Sequence, residues 1–459
     1  MNKLVCIFSL IVLISLSLPA QAQNQQQGLP VFDKDFACTP QATAQRYISD
    51  FRIDVKSFGG MELCNSKVDL KKLLNDITII EQGRFDTSKT NLLIRDYVKA
   101  DQYYAWMKAQ TRGINRGDDI PYATAYNSFG YFTMQDGWAT LSTLGRVGTV
   151  IHEARHTEGY RHIPCTHGPY GGASTAGCDR DYAYGGSHAI EMEYYGRVVA
   201  QGTNFHPVYK SMARLMAMGR SNFVFNESPI RVREVLTILG KDARPAVLDG
   251  DRLLARDGLT AAGGALKRTS HGAAVFMGSA TLTLDLYSRL GGQTGIQDDY
   301  SYFKLLLLDR GQGPEPLRDM EEVDIGSRRF AVGLKRDNTI ASYLFTEGKW
   351  SPFQQPVANA AGLVTTLATG EKGVFLRTND GTIIPYDPAR RAYGEPLKTK
   401  WPAELVSAAS VNGHMLALRN DGTVYLYDGR NWSAVPALQK IPVAQMVSSP
   451  VYDAFEVAP

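Results

Sequence analysis

Apolar residues recur along this chain in two different rhythms. Over residues 23–240 they fall mainly at three- and four-residue spacing, which predicts amphipathic helices over 68–80, 89–107, 208–218 and 228–239. Residues 159–188 lose that rhythm and turn to Gly, Pro, Ser, Thr and Tyr, which predicts a loop. Beyond about residue 245 helical spacing nearly vanishes, and short apolar runs separated by turn residues predict strands.

The strand region repeats itself. Segments 330–350, 374–393 and 415–432 each carry an apolar strand, an Asp-Asn or Asp-Gly turn, a second strand and a closing aromatic residue. The turn residues Asp337, Asp380 and Asp421 lie 43 and 41 residues apart (380 − 337 and 421 − 380). Asp-Gly tolerates the positive φ of a tight hairpin, so each aspartate is read first as a turn former and only second as a calcium ligand. Hairpins at a period of roughly forty residues fit four-stranded propeller blades. Weaker copies fall at 273–290 and 302–317. Segment 251–266 reads as the second half of a repeat and 443–457 as a first half, so the two ends would close a ring through one shared blade. The region resembles regulator-of-chromosome-condensation-like or tectonin-like propeller repeats. That resemblance implies an all-β propeller that recruits a protein, carbohydrate or cell-surface partner, and it leaves the number of blades open.

Lys3, an apolar run over 4–18 and the small-residue pattern Ala20-Gln21-Ala22 predict a signal peptide over 1–22. The run is too short to cross a bilayer comfortably, and no later stretch predicts a membrane span. No lipobox-like pattern surrounds Cys6, so a secreted or periplasmic protein is expected. Cys38, Cys64, Cys165 and Cys178 then remain, enough for two disulfides, and the local pairing Cys38–Cys64 and Cys165–Cys178 is the expected one of three. No Cys-x-x-Cys spacing suggests a cysteine metal site. The net charge of +3 carries no basic run, which excludes nucleic acid as an expected partner. Length beyond a single core implies a multidomain α+β chain: the leader 1–22, a mainly helical domain 23–240 and an all-β repeat domain 245–459.

The chemistry lies at the end of a predicted helix whose apolar stripe is Leu144, Val147 and Ile151. His152 and His156 are four residues apart, on one face and about a turn from each other, where a single ion reaches both. Glu153 follows the first histidine and can act on a water beside the ion as general base. Gly159 is suited to end the helix, and the turn it permits can return His162 to the same ion. The full pattern His-Glu-x-x-His-x-x-Gly-x-x-His resembles the metzincin zinc endopeptidases. That resemblance implies Zn2+ held by His152, His156 and His162, with Glu153 as the catalytic base and a peptide or protein as substrate. It also implies a methionine turn, for which Met192 is the candidate, and an upstream edge strand at 131–138 that pairs with an extended peptide. Should 189–200 be a helix instead, Glu191 or Glu193 is the rival third ligand. His167 and His188 are weaker candidates for substrate contact or ligand support, and Tyr160, Tyr194 and Tyr195 for donors to an oxyanion. Arg155, Glu158 and Arg161 read as a solvated face or a local ion pair. A secreted binding protein with a non-catalytic metal site is the competing functional reading.

Overall fold

A computed structural model describes residues 28–452, apart from 121–122, 168–170, 172–175, 222–223, 256–263, 270–271, 277–280, 285–316, 327 and 345–348. The expected leader 1–22 therefore lies outside the described residues, as does nearly all of the weak repeat copy at 302–317. The N-terminal α/β region holds α1 (Gln41–Phe51), α2 (Asp69–Gln82), α3 (Tyr103–Gln110), α4 (Asp136–Ala139), α5 (Thr143–Thr157), α6 (Ser187–Ala200) and α7 (Pro207–Ser221). Helix α2 buries Leu70, Leu73, Leu74, Ile77 and Ile80, the three- and four-residue stripe read from the sequence. Helices α5 and α6 are buried along nearly their whole length, with α2, α3 and α7 packed around them. Their close approach depends on Gly148, where a Cβ would fall 2.0 Å from Tyr195 Oη and 2.8 Å from Glu191 Oε1. Among the described residues no helix is long and apolar enough to cross a membrane.

Two small sheets flank these helices. Strands β1 (Gly113–Arg116), β2 (Ala125–Ser128) and β3 (Tyr131–Met134) form one in the order β1-β3-β2, with β3 parallel to β1 and antiparallel to β2. Both ladders of β3 are thus occupied. The expectation that 131–138 offers a free edge is corrected: the chain leaves the strand at Met134 for α4, and the edge nearest α5 belongs to β2. Strands β4 (Ile163–Pro164), β5 (Ala176–Asp181) and β6 (Phe225–Glu227) form the other sheet, inside and beyond the stretch read as loop. Both disulfides have the local pairing, Cys38–Cys64 and Cys165–Cys178, and they fit an oxidising, extracytoplasmic compartment.

The helix expected over 89–107 forms only as α3. Upstream, the backbone N–H groups of Arg95, Tyr97 and Val98 donate to the buried carboxylate of Glu193 at 2.8, 3.1 and 3.3 Å. A carboxylate that takes three amides leaves none of them for a helix. The segment 228–239 is corrected too, for it is mostly strand β7 (Val232–Gly240). Its last six residues are buried whichever way they face, so the two-residue alternation that marks a strand is absent.

From β7 onward every sheet is antiparallel. Strands β8 (Pro245–Asp249) and β9 (Arg252–Ala255) follow β7, and β10 (Ala265–Thr269), β11 (Gly272–Phe276) and β12 (Thr281–Leu284) form the next sheet. Strands β13 (Leu317–Ile325), β14 (Arg328–Lys335), β15 (Ile340–Leu344) and β16 (Lys349–Trp350) form a four-stranded meander. A second consists of β17 (Ala360–Thr366), β18 (Lys372–Thr378), β19 (Ile383–Asp387) and β20 (Ala392–Tyr393). A third consists of β21 (Leu405–Val411), β22 (His414–Arg419), β23 (Val424–Tyr427) and β24 (Trp432–Ala434). The last strand, β25 (Val443–Tyr452), returns to β7 and completes the sheet β25-β7-β8-β9. Strands β25, β10, β13, β17 and β21 pack side by side around a central cavity, which makes this part a propeller-like ring closed by its own two ends.

Each repeat read from the sequence supplies the outer three strands of one sheet. Asp337, Asp380 and Asp421 accept from the amides of Thr339, Thr382 and Thr423 at 3.0, 3.4 and 2.8 Å, so they shape their own turns. The helical core continues into the ring through Leu317, Met320, Ala331, Ala341 and Trp350.

Ending the chain after Pro442 removes β25 and leaves β7 as an open edge. We expect this truncation to abolish the cooperative urea transition of the ring and to give aggregates on size-exclusion chromatography. A monomer with an unchanged transition would show that the closure is dispensable.

Candidate metal centre

Helix α5 begins at Ser142, whose Oγ accepts from Gly145 N at 3.3 Å, and ends just before Gly159, which has φ +91°. In that left-handed conformation glycine is free of the Cβ penalty and the chain reverses sharply. His152 and His156 lie on the helix and His162 on the returning segment. Their ring centroids lie within 4.9 Å of one another, and His152 Nε2 is 3.0 Å from His162 Nε2. The three imidazoles form a group that could hold a metal ion.

Each ring has an oxygen behind it. His162 Nδ1 faces Asp179 Oδ1 at 3.1 Å, His156 Nδ1 faces the Tyr160 carbonyl and Ser187 Oγ, and His152 Nδ1 lies 3.4 Å from Glu191 Oε2. Acceptors at hydrogen-bond distance favour a proton on Nδ1 of His162 and His156, which leaves their Nε2 lone pairs free, whereas the Glu191 carboxylate lies near His152 Nδ1 without a hydrogen bond. His152 Nε2 and His162 Nε2 face each other at 3.0 Å, and with both nitrogens unprotonated their lone pairs repel unless a cation lies between them. A tetrahedral zinc ion with bonds of about 2.0–2.1 Å needs ligand nitrogens roughly 3.3 Å apart, so the donor set fits that ion. Burial holds all three imidazoles below their usual range, His162 at about 4, and metal ligation requires the neutral form.

Glu153 is buried beside His152. Burial pushes its carboxyl up to about 8, with the charge of Glu191 adding to the effect, and its Oε2 is buried without a hydrogen-bond partner. The backbone at Glu153 is pinned to the neighbouring edge strand, where Asn127 Nδ2 donates to the Glu153 carbonyl and to Thr157 Oγ1.

Of the rival third ligands, Glu191 forms with His152 and His188 a second group that could hold a metal ion, while Glu193 is taken up by the fold. Glu191 approaches His152 from the Nδ1 side, opposite the Nε2 cluster, and it lies 2.9 Å from Arg220 while its other oxygen accepts from Tyr195 Oη at 2.8 Å. Burial opposes its charge, yet Arg220 and the imidazoles hold it well below the usual carboxylate range. Glu193 is enclosed by the three amides above and by Arg197 at 3.2 Å. Met192 lies in the middle of α6, a continuous helix, so the expected methionine turn is corrected. Its sulfur accepts from Ser221 Oγ at 3.7 Å, a core contact with α7.

His188 joins the cluster in the opposite tautomer. Its Nε2 lies 3.1 Å from the Gly177 carbonyl, and its ring stacks on His162 at 4.5 Å, so it supports the triad from behind. His167 lies outside the cluster of four imidazoles. Tyr194 and Tyr195 are core residues, and Tyr160 lies under the Arg155 guanidinium at 3.8 Å. Arg155 and Glu158 form the expected local ion pair, although Arg155 is buried and also donates to the Gly185 carbonyl at 2.7 Å.

Asp179 escaped the sequence reading. It follows Cys178 on β5, and besides His162 it accepts from His188 N and Ala189 N at 3.0 and 3.3 Å, capping α6. Burial opposes its ionisation, but the hydrogen bond from His162 keeps its carboxyl below the usual range. Only the adjacent cysteine hinted that this position is fixed beside the third histidine.

Asp179 and Glu193 should separate by readout. Asp179→Asn keeps an acceptor at the cap but loses the charge behind His162, so zinc affinity should fall by roughly 10–100-fold in a chelator competition with little change in thermal unfolding. Glu193→Ala leaves the amides of Arg95, Tyr97 and Val98 without their acceptor while Arg197 keeps Asp96, which should destabilise the fold by about 1–3 kcal/mol or more in urea.

No protein-family model and no curated protein matches the sequence. Solved structures with similar stretches include BBS1N in complex with ARL6DN, 12% identical with a TM-score of 0.26 over 44% of this chain and 78% of that one. Apo AztD from Citrobacter koseri is 11% identical with a TM-score of 0.24, over 47% of this chain and 62% of its own. The β-propeller domain of Cps50 (Swd1) from Myceliophteria thermophila is 14% identical with a TM-score of 0.24, over 47% of this chain and 72% of its own. These values are too low to carry a conclusion, and the ring described above rests on its own strand pairing.

Proposed function

We propose that this chain is an exported zinc-dependent peptidase, secreted or periplasmic, whose propeller-like ring recruits a protein, carbohydrate or cell-surface partner. The observation that carries the reading is the pair of facing Nε2 atoms, His152 and His162, each backed on Nδ1 by a buried carboxylate, with His156 completing the triad. Such an array is arranged to bind a cation from one side only, which leaves a position open for substrate and water.

His152, His156 and His162 would hold the ion. Bound there, zinc supplies Lewis acidity, which polarises a carbonyl and makes a water molecule acidic near neutral pH. Glu153, next to His152 on α5, takes the proton of the attacking water and returns it to the departing amine. Asp179 would keep His162 in the Nε2-accepting tautomer, and the Glu191 charge lies on the Nδ1 side of His152.

Glu153→Gln preserves size and burial and removes the base. It should retain one zinc per chain by metal analysis, while the rate of cleavage of a quenched-peptide library drops by about 10²–10⁴-fold. Wild-type protein that holds zinc and cleaves nothing across a broad peptide panel would sink the peptidase reading and favour a binding protein with a non-catalytic metal site.

A further inference from the structure

His152 presents a nitrogen on each side of its ring, and each side faces a different set of donors. On the Nε2 side lie His156 and His162. On the Nδ1 side lie His188 and Glu191, and these three residues bring one ligand atom each within 4.8 Å of one another. His152 Nδ1 is 3.4 Å and His188 Nδ1 is 3.7 Å from Glu191 Oε2. Both nitrogens are buried, and neither has a hydrogen-bond partner.

The tautomer of His188 is set from outside this group. Its Nε2 lies 3.1 Å from the Gly177 carbonyl, which takes the ring proton and turns the Nδ1 lone pair toward Glu191. A lone pair that faces a carboxylate in a dry interior is costly unless a cation lies between them. The carboxylate is itself held in place, since Tyr195 Oη donates to Oε1 at 2.8 Å and Arg220 lies 2.9 Å from Oε2. An ionised carboxylate oxygen can accept from two directions, so one stays open beside Arg220. The guanidinium charge repels a cation there, which makes this group a weaker binder than the three imidazoles.

A neutral imidazole has a single lone pair. With the His152 proton on Nδ1, its Nε2 completes the triad. With the proton on Nε2, His162 Nε2 can accept it at 3.0 Å, and His152 Nδ1 becomes the third donor beside His188 and Glu191. Two imidazoles and a carboxylate suit zinc as three imidazoles do. Access differs between the two groups. His156 and His162 are partly exposed, whereas Glu191 and His188 are buried, so an ion on the Nδ1 side has no position open to water or substrate.

We propose that His188, Glu191 and His152 Nδ1 form a second, closed zinc seat, and that the tautomer of His152 decides which seat the ion takes. An ion in the closed seat is catalytically silent. The inference rests on the reading of the triad as a metal centre, and metal binding rather than cleavage reads it out.

The test is zinc competition against a chromophoric chelator on the full chain. His156→Gln together with His162→Gln strips the triad to one ligand, yet this double variant should still hold one zinc per chain, more weakly than wild type. Adding His188→Phe, which keeps a ring of similar size without its nitrogens, should weaken zinc by a further tenfold or so at least, since a ligand counts for no less than a supporting contact. Thermal unfolding of the metal-free proteins separates a lost ligand from a lost fold. Should the double variant fail to fold, His162→Gln with and without His188→Phe gives the same comparison. No zinc in the folded double variant, or equal affinity with and without His188→Phe, would overturn the second seat. Wild-type affinity in the double variant, lost on adding His188→Phe, would support the seat and count against the triad, so the two readings fail separately.

Discussion

Two carboxylates buried two residues apart on one helix impose most of the order in the N-terminal region. Taking an ionised carboxylate out of water costs about several kcal/mol even after relaxation, so each must be surrounded by donors or it would not stay charged. Glu193 draws in three backbone amides, Tyr103 and Arg197, and so fixes the irregular crossing before α3. Glu191 draws in Arg220 from α7, Tyr195 from its own helix and His152 from α5. The two glutamates face different partners because neighbours two apart on a helix point to different sides. One side of α6 therefore organises a fold and the other a cluster of imidazoles.

The cluster inherits its geometry from that arrangement. His152 is oriented by a carboxylate on α6, and His162 by Asp179, which also caps the start of α6. The Cys165–Cys178 bridge ties the segment after His162 to the strand that bears Asp179. Glu191 reaches His152 across 39 residues (191 − 152), whereas Asp179 and the disulfide act within the stretch read as loop, across 17 and 13 residues.

What could be read from the sequence follows the range over which each interaction acts. Spacing within one helix turn gave His152, Glu153 and His156, and a single glycine gave the reversal that brings His162 back. The hairpins of the ring were legible because Asp337, Asp380 and Asp421 act on amides two residues away. The helix expected over 89–107 failed because Glu193 competes for its amides across 95 residues or more. Strand β7 was misread because sheets cover both its faces, which erases the alternation that separates strand from helix. Asp179, Arg220 and the role of Glu191 were illegible for the same reason: their meaning lies in partners the local pattern does not name.

The seam between β25 and β7 has a consequence for how the molecule comes into being. Thr237 and Ser449 share a buried hydrogen bond although they are 212 residues apart. Loop-closure entropy must be met before such a contact gives anything back, so this pairing belongs to the slow, late part of folding. Synthesis and export deliver the first strand long before its partner. Throughout that interval the ring is an open arc with one unpaired edge, and β25 is the strand that converts an aggregation-prone intermediate into a closed surface.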